Sequence, residues 1–244
     1  MGSRHFETEG LVVRTYDFGE TDRIIVLLTP NDGIIRCVAK GVRRPGSRFG
    51  GALELHALVR VDLTQGANLA FINQTLLIRP HVHIARDWVR ATCAATMAEA
   101  VGLVGQEGQR DFPLFKGHLD VLDLLDHGPT YPVNIVDAAL LRLCASQGVA
   151  PSISECAQGD QLPVVGFSVA HGGAVCARHL PGEFARLEHD ELATLRILGA
   201  GDWATISDTY LPPKPGQLIY RWTTAHLHIT LKSWSVIPRD PNMT

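Results

Sequence analysis

Between Glu9 and Leu77 the apolar residues recur with period two, and the pattern breaks only at turn chemistry; from Trp88 onward they recur at three- and four-residue spacing. Period two buries one face of a strand, and the longer period buries one stripe of a helix, so the chain is expected to build a β body first and a helical one after it. Five strands can be read. Leu11, Val13 and Tyr16 mark the first. Ile24 to Thr29 is the second, closed by Pro30-Asn31-Asp32-Gly33, whose Asp-Gly tolerates the positive φ of a tight hairpin turn. Ile34 to Lys40 pairs back. A glycine- and proline-rich loop, Gly41 to Gly51, leads to a second hairpin, Leu55 to Leu63 and Leu69 to Ile78, turning at Gln65-Gly66-Ala67-Asn68. Five short strands predict a small Greek-key barrel, the OB-fold, a common platform for single strands and oligonucleotides.

After Pro80 the spacing predicts helices over Trp88 to Val101, Leu114 to Leu125 and Val133 to Cys144, with Gln147-Gly148 as a C-cap. A glycine-rich, irregular segment follows from about 153 to 181. Two further helices are expected, His189 to Leu198 and Gln217 to Trp234, the second behind Pro212-Pro213-Lys214-Pro215. The fold class is therefore α+β. Residues 1–80 form the barrel, and residues 81–244 form a mainly helical domain with an inserted cysteine-containing loop.

With 45% hydrophobic and 19% charged residues, the chain is too apolar for disorder and too interrupted by charge for membrane spans. Its longest apolar runs, such as Ala138 to Leu141, fall far below the ~20 residues a span needs. Met1 to Gly10 shows no secretory pattern, and five cysteines at wide, odd spacing suit a reducing cytoplasm better than a disulfide framework. The net charge of -3 hides an asymmetry: residues 1–80 carry 10 basic and 8 acidic side chains, residues 81–244 carry 12 and 17. Within the first part Arg36, Lys40, Arg43, Arg44 and Arg48 occur with no acidic residue among them. Cations on a projecting barrel loop are suited to a nucleic-acid backbone, with a solvated surface loop as the alternative. Phe49 and Phe71 are the aromatic residues placed to stack on a base, core packing being the alternative for Phe71.

Several near-matches to catalytic signatures lack an essential part. Gly41 to Ser47 has P-loop glycine spacing, but Ser47 occupies the place of the phosphate-reaching lysine. Gly166-Phe-Ser168-Val-Ala170 resembles a nucleophile elbow without its second glycine or its parallel α/β context. His81-Val-His83 and His226-Leu-His228 read as surface histidines. In the irregular segment, Cys156-Ala-Gln-Gly159 and Cys176-Ala-Arg-His179 have metal-ligand spacing with one corner missing, since Gly159 has no side chain. Asp160 and His171 are the neighbours able to supply a fourth ligand. Weak or absent zinc binding is expected.

Taken in order, Gly19-Glu20-Thr21-Asp22-Arg23-Ile24 with Leu27-Leu28-Thr29, Ala39-Lys40-Gly41-Val42-Arg43-Arg44 with Ser47-Arg48-Phe49, and Phe167-Ser168 with Gly172-Gly173-Ala174-Val175-Cys176 make the chain resemble the bacterial RecO family of recombination mediators over nearly its whole length. The resemblance implies an OB-fold that binds single- and double-stranded DNA and anneals complementary strands. It also implies cooperation with RecR and single-stranded-DNA-binding protein to load the RecA recombinase in DNA repair, in the cytoplasm at the nucleoid and without enzymatic chemistry. Many members of that family bind zinc through four cysteines; the matching positions here are Cys156, Gly159, Cys176 and His179. Two readings compete with the mediator: an adaptor whose barrel no longer binds DNA, and a hydrolase using Ser168.

Overall fold

The computed structural model describes residues 4–160 and 162–239. Five strands form the first architecture: β1 (His5–Phe18), β2 (Asp22–Thr29), β3 (Gly33–Ala39), β4 (Leu58–Thr64) and β5 (Ala70–Arg79). They close into a barrel of order β1-β2-β3-β5-β4, antiparallel except where β3 meets β5 through Cys37 opposite Ala70 and Val38 opposite Phe71. This is the five-stranded Greek-key closure of an OB-fold. Val12, Ile25, Leu27, Cys37, Val61 and Leu63 fill the interior from alternate positions, which is why the sequence shows period two. Burial there pushes the Cys37 thiol up to about 12. The expected strand starting at Leu11 begins earlier, at His5, because its first residues pair with β4 from His5 opposite Thr64 to Leu11 opposite Leu58.

The β2–β3 turn is as the Asp-Gly signal predicts. Gly33 has φ +62°, and its α-carbon faces the backbone carbonyl oxygen of Gln106, where a β-carbon would lie 2.1 Å away. Two helices belong to the same compact unit, residues 1–126: α1 (Trp88–Val104) and α2 (Phe112–His127), the latter reaching the boundary. The Asp87 side chain caps α1 by accepting from the Arg90 N–H, and just beyond its end the Gln106 carbonyl accepts from the Ile34 N–H at 3.0 Å. The period changes at Pro80, whereas packing carries α1 and α2 onto the barrel; the first boundary marks a change of fold class and the second a limit of contact.

The second unit, residues 127–244, contains α3 (Pro132–Ser146), α4 (His189–Ala200), α5 (Trp203–Asp208) and α6 (Pro213–Leu227). Three expectations are corrected here. The segment read as irregular holds an antiparallel sheet of β6 (Val164–Ser168), β7 (Gly173–Cys176) and β8 (Ala185–Arg186), in the order β7-β6-β8. Its strands of two to five residues are too short to register as a period. The last helix starts at Pro213 and stops at Leu227, where His228 turns left-handed at φ 54°. The short helix α5, capped by Asp202, went unread. A buried ion pair joins Asp137 to Arg239, whose guanidinium lies over the Trp234 ring. Among the described residues no helix is long and apolar enough to cross a membrane.

Candidate nucleic-acid interface

Cross-strand partners share a face of a sheet, so the pairing register decides which side chains point outward together. Tyr16 faces Ile24, Ile24 faces Val38, and Val38 faces Phe71, giving one outward row across four strands. At ~4.8 Å per strand its ends lie about 14 Å apart. Tyr16 is 40% exposed, Ile24 and Phe71 are half-buried, and Val38 is buried, so the accessible rings stand at the two ends. Each carries a cation: the Arg14 guanidinium lies 4.6 Å from the Tyr16 ring centre, and Lys40 Nζ lies 4.8 Å from that of Phe71. The next row runs Arg14, Val26, Arg36. Arginines thus flank the aromatic row on the strand 2–3 face that OB-folds use for oligonucleotides.

The loop after β3 is held beside this face by the turn before β2. Gly41 N–H donates to Asp22 Oδ1 at 2.7 Å, and Arg43 N–H donates to the Thr21 carbonyl at 3.0 Å. The Gly41 bond, with Thr21, Arg44 and Lys40 assisting, holds the Asp22 carboxyl below the usual range. The two sequence segments 19–23 and 40–44 are therefore one structural feature, the first pinning the second.

The five cations separate into different environments. Arg36 projects from β3 and pairs with Glu107 at 3.0 Å; Arg43 pairs with Asp17 at 3.3 Å. Arg48 donates to the Ile72 carbonyl at 3.3 Å and lies over Phe49. Lys40 and Arg44 are exposed and make no ion pair among the described residues. Phe49, read as a stacking candidate, is corrected: it is 3% exposed and packs in the barrel core, because the loop folds back as a lid on the interior. Phe71, for which core packing was the alternative, is the ring that faces outward. Arg14 and Tyr16 were missed. Their alternation along β1 was visible, but only the register places them on the same face as Arg36 and Phe71.

The other motif residues have different fates. His81 is not a surface histidine: it is 3% exposed, with Nδ1 at 2.7 Å from the His56 carbonyl and Nε2 at 3.0 Å from Asp123. His83 remains exposed and contacts Asp126 at 3.2 Å. His226 stacks on Trp222, with ring centres 3.7 Å apart. Ser168 is buried, and its hydroxyl donates to the Glu183 carbonyl at 3.0 Å. His171 Nδ1 lies 3.2 Å from the same oxygen, but the hydroxyl proton is directed to the carbonyl, which is not the arrangement of a base-activated nucleophile.

In the second unit, Cys156, Cys176 and His179 come together with their donor atoms all within 4.8 Å of one another. Two sulfurs and an imidazole suit a thiophilic ion such as zinc, so the residues fit the group as a three-ligand site. Burial pushes the Cys156 thiol up, but backbone N–H groups of Gln158 and Cys176, with the side chains of His179 and Cys176, bring it down to about 7. Gly159 sits at φ +81° with open space where a side chain would project. Neither proposed substitute reaches the cluster: Asp160 pairs with Arg178 at 3.3 Å, and His171 is engaged with Ser168.

Comparison with known proteins agrees with this geometry. Residues 1–81 match the family described as Recombination protein O N terminal, and residues 85–235 match Recombination protein O C terminal. The DNA repair protein RecO of Cutibacterium acnes is 31% identical over 243 residues, covering 96% of this chain and 99% of the relative. That of Nocardioides sp. is 34% identical with the same coverage, and that of Thermobifida fusca is 36% identical over 81% of this chain and 83% of the relative. A barrel with a cation-flanked aromatic face, continued by a helical unit with a cysteine cluster and matched in both parts, places this chain in the RecO family of DNA repair proteins.

Proposed function

We propose that this protein is a non-enzymatic recombination mediator that binds single- and double-stranded DNA on the barrel, anneals complementary strands and helps load RecA onto single strands covered by single-stranded-DNA-binding protein, together with RecR. The observation that carries the reading is the outward row Tyr16, Ile24, Val38, Phe71 with Arg14 and Arg36 beside it and Lys40 over one end. Rings at both ends offer stacking that every base can use, while the cations neutralise phosphates without reading sequence. Annealing needs this combination: both strands must be held by their backbones and stay free to pair. Arg36, Lys40, Arg43, Arg44 and Arg48 are the proposed phosphate contacts, with Lys40 and Arg44 contributing most because, among the described residues, neither has an ion pair or a side-chain hydrogen bond to break. The work requires no covalent step and takes place in the cytoplasm, at the nucleoid. Zinc, when bound, would be held by Cys156, Cys176 and His179 and would brace the segment around β7 rather than take part in DNA binding.

The test is a fluorescence titration of labelled single-stranded DNA at two salt concentrations. Replacing both Tyr16 and Phe71 with Ala should weaken binding by about 1–3 kcal/mol per stacked base while leaving the salt slope unchanged. Replacing Lys40 and Arg44 with Ala should flatten the slope of log K against log salt by about 1.4. Absence of salt-dependent oligonucleotide binding by the wild-type chain would favour the adaptor reading, and unaltered affinity in both double variants would refute this assignment of the contacts.

A further inference from the structure

We infer that Cys156 and Cys176 form a reversible intrachain disulfide, making the segment around β7 a thiol-based redox site of the second unit, independent of DNA binding. Backbone hydrogen bonds tie the segment that carries Cys156 to the one that carries Cys176. Ser152 N–H donates to the Gly172 carbonyl at 3.0 Å, Ala174 N–H to the Ser152 carbonyl at 2.8 Å, and Ala157 N–H to the Ala174 carbonyl at 2.8 Å. The segment from Ser152 to Ala157 is thereby tied to the β7 region at its two ends, with a bend at Ser154 and Glu155 between them, and Cys156 immediately precedes the last of these bonds. Their sulfurs, with His179 Nδ1, lie within 4.8 Å of one another, close enough for side-chain rotation to bring sulfur to sulfur. His179 Nδ1 stands 3.6 Å from Cys156 Sγ and 3.5 Å from Cys176 Sγ, so one ring nitrogen holds both sulfurs to the same point. The turn beyond Cys156 is closed by a Gly159 N–H bond to the Cys156 carbonyl at 2.9 Å.

The oxidant is a hydroperoxide. Cys156, 4% exposed against none for Cys176, is the thiol that is reached first. Its thiolate sulfur attacks one peroxide oxygen, the O–O bond breaks, and the other oxygen leaves as water or an alcohol after protonation; Cys156 is now a sulfenic acid. Cys176 then attacks that sulfur, the S–S bond forms, and the hydroxyl leaves as a second water. Two thiols lose two electrons and two protons, and the peroxide gains them. A dithiol reverses the step by exchange. A zinc ion on the same sulfurs would exclude the disulfide, so metal and oxidant compete for one pair.

The experiment uses the full chain, treated with stoichiometric hydrogen peroxide in chelator-washed buffer and digested without reduction. The expected result is a cross-linked peptide joining Cys156 to Cys176, loss of two titratable thiols per chain, and recovery of both with dithiothreitol. The Cys176→Ser variant should stop at a sulfenic acid on Cys156, captured by dimedone. Separate, irreversible oxidation of the two cysteines, or thiols that survive peroxide intact, would each overturn the inference. Because the primary readout is on the wild-type chain, it does not depend on the variant folding.

Discussion

Replacing His118 with Leu should remove about half of an acid sensitivity built into the first unit. His56 and His118 are both buried, and among the described residues both ring nitrogens of His118 and Nδ1 of His56 lack a hydrogen-bond partner. Burial, reinforced by neighbouring His81, lowers His56 to about 4; burial, with His56 and His81 adding, lowers His118 to about 3. The other charged groups of this cluster, Asp123 and Arg79, pair with each other, and Asp123 also contacts His81. In the unfolded chain each histidine takes up its proton near pH 6.5, whereas in the folded unit it does so only well below that. The unfolded state therefore binds more protons as pH falls, and stability, fully present above about pH 7.5, drains away as the pH drops through 6.5 toward 4. At pH 5 each histidine has lost about 1.5 pH units of linkage, or about 2 kcal/mol, and the two together about 4 kcal/mol. Hydrogen exchange of α2 amides, corrected for the intrinsic rate at each pH, reads this unit directly. Wild type should lose about 4 kcal/mol of protection between pH 8 and pH 5 and His118→Leu about 2 kcal/mol. Equal losses in the two proteins would show that His118 is not a buried neutral group and would refute the reasoning.

Three further outcomes follow from particular contacts. Gly33→Ala must place a β-carbon against the Gln106 carbonyl at positive φ, so urea unfolding should show a loss of about 2–4 kcal/mol. Asp137→Ala leaves the Arg239 guanidinium, 14% exposed, without its carboxylate, and should cost about 3–5 kcal/mol in the same assay, whereas an isosteric apolar replacement of both partners should cost far less. Elemental analysis should find less than one zinc per wild-type chain, while Gly159→Cys, whose side chain enters open space three residues after Cys156, should raise zinc toward one per chain; equal content in both would mean that position 159 does not face the site.

The alternation of apolar residues and the Asp32-Gly33 turn were enough to specify five strands and a change to helix after Pro80, because strand and helix periods are local and each strand of the barrel hides one face. The cation cluster was legible for the same reason: charge is a property of the residues themselves. The sheet in the 153–181 segment was not, since strands of two to five residues carry no period and exist only through their neighbours. His81 shows the limit most clearly. A His-x-His pair on a polar stretch reads as exposed, yet α2 supplies Asp123 to one ring nitrogen and the turn before β4 brings the His56 carbonyl to the other. Likewise Phe49 and Phe71 exchanged the roles their places in the sequence suggested, because loop closure buried one and the parallel β3–β5 pairing turned the other outward. The sequence by itself determined the order of the two fold classes, the charge of the loop and the donor types at Cys156, Cys176 and His179. Only the tertiary structure decided which rings and cations share one face and which donors meet, because register and loop closure join residues whose separation along the chain carries no record of their contact.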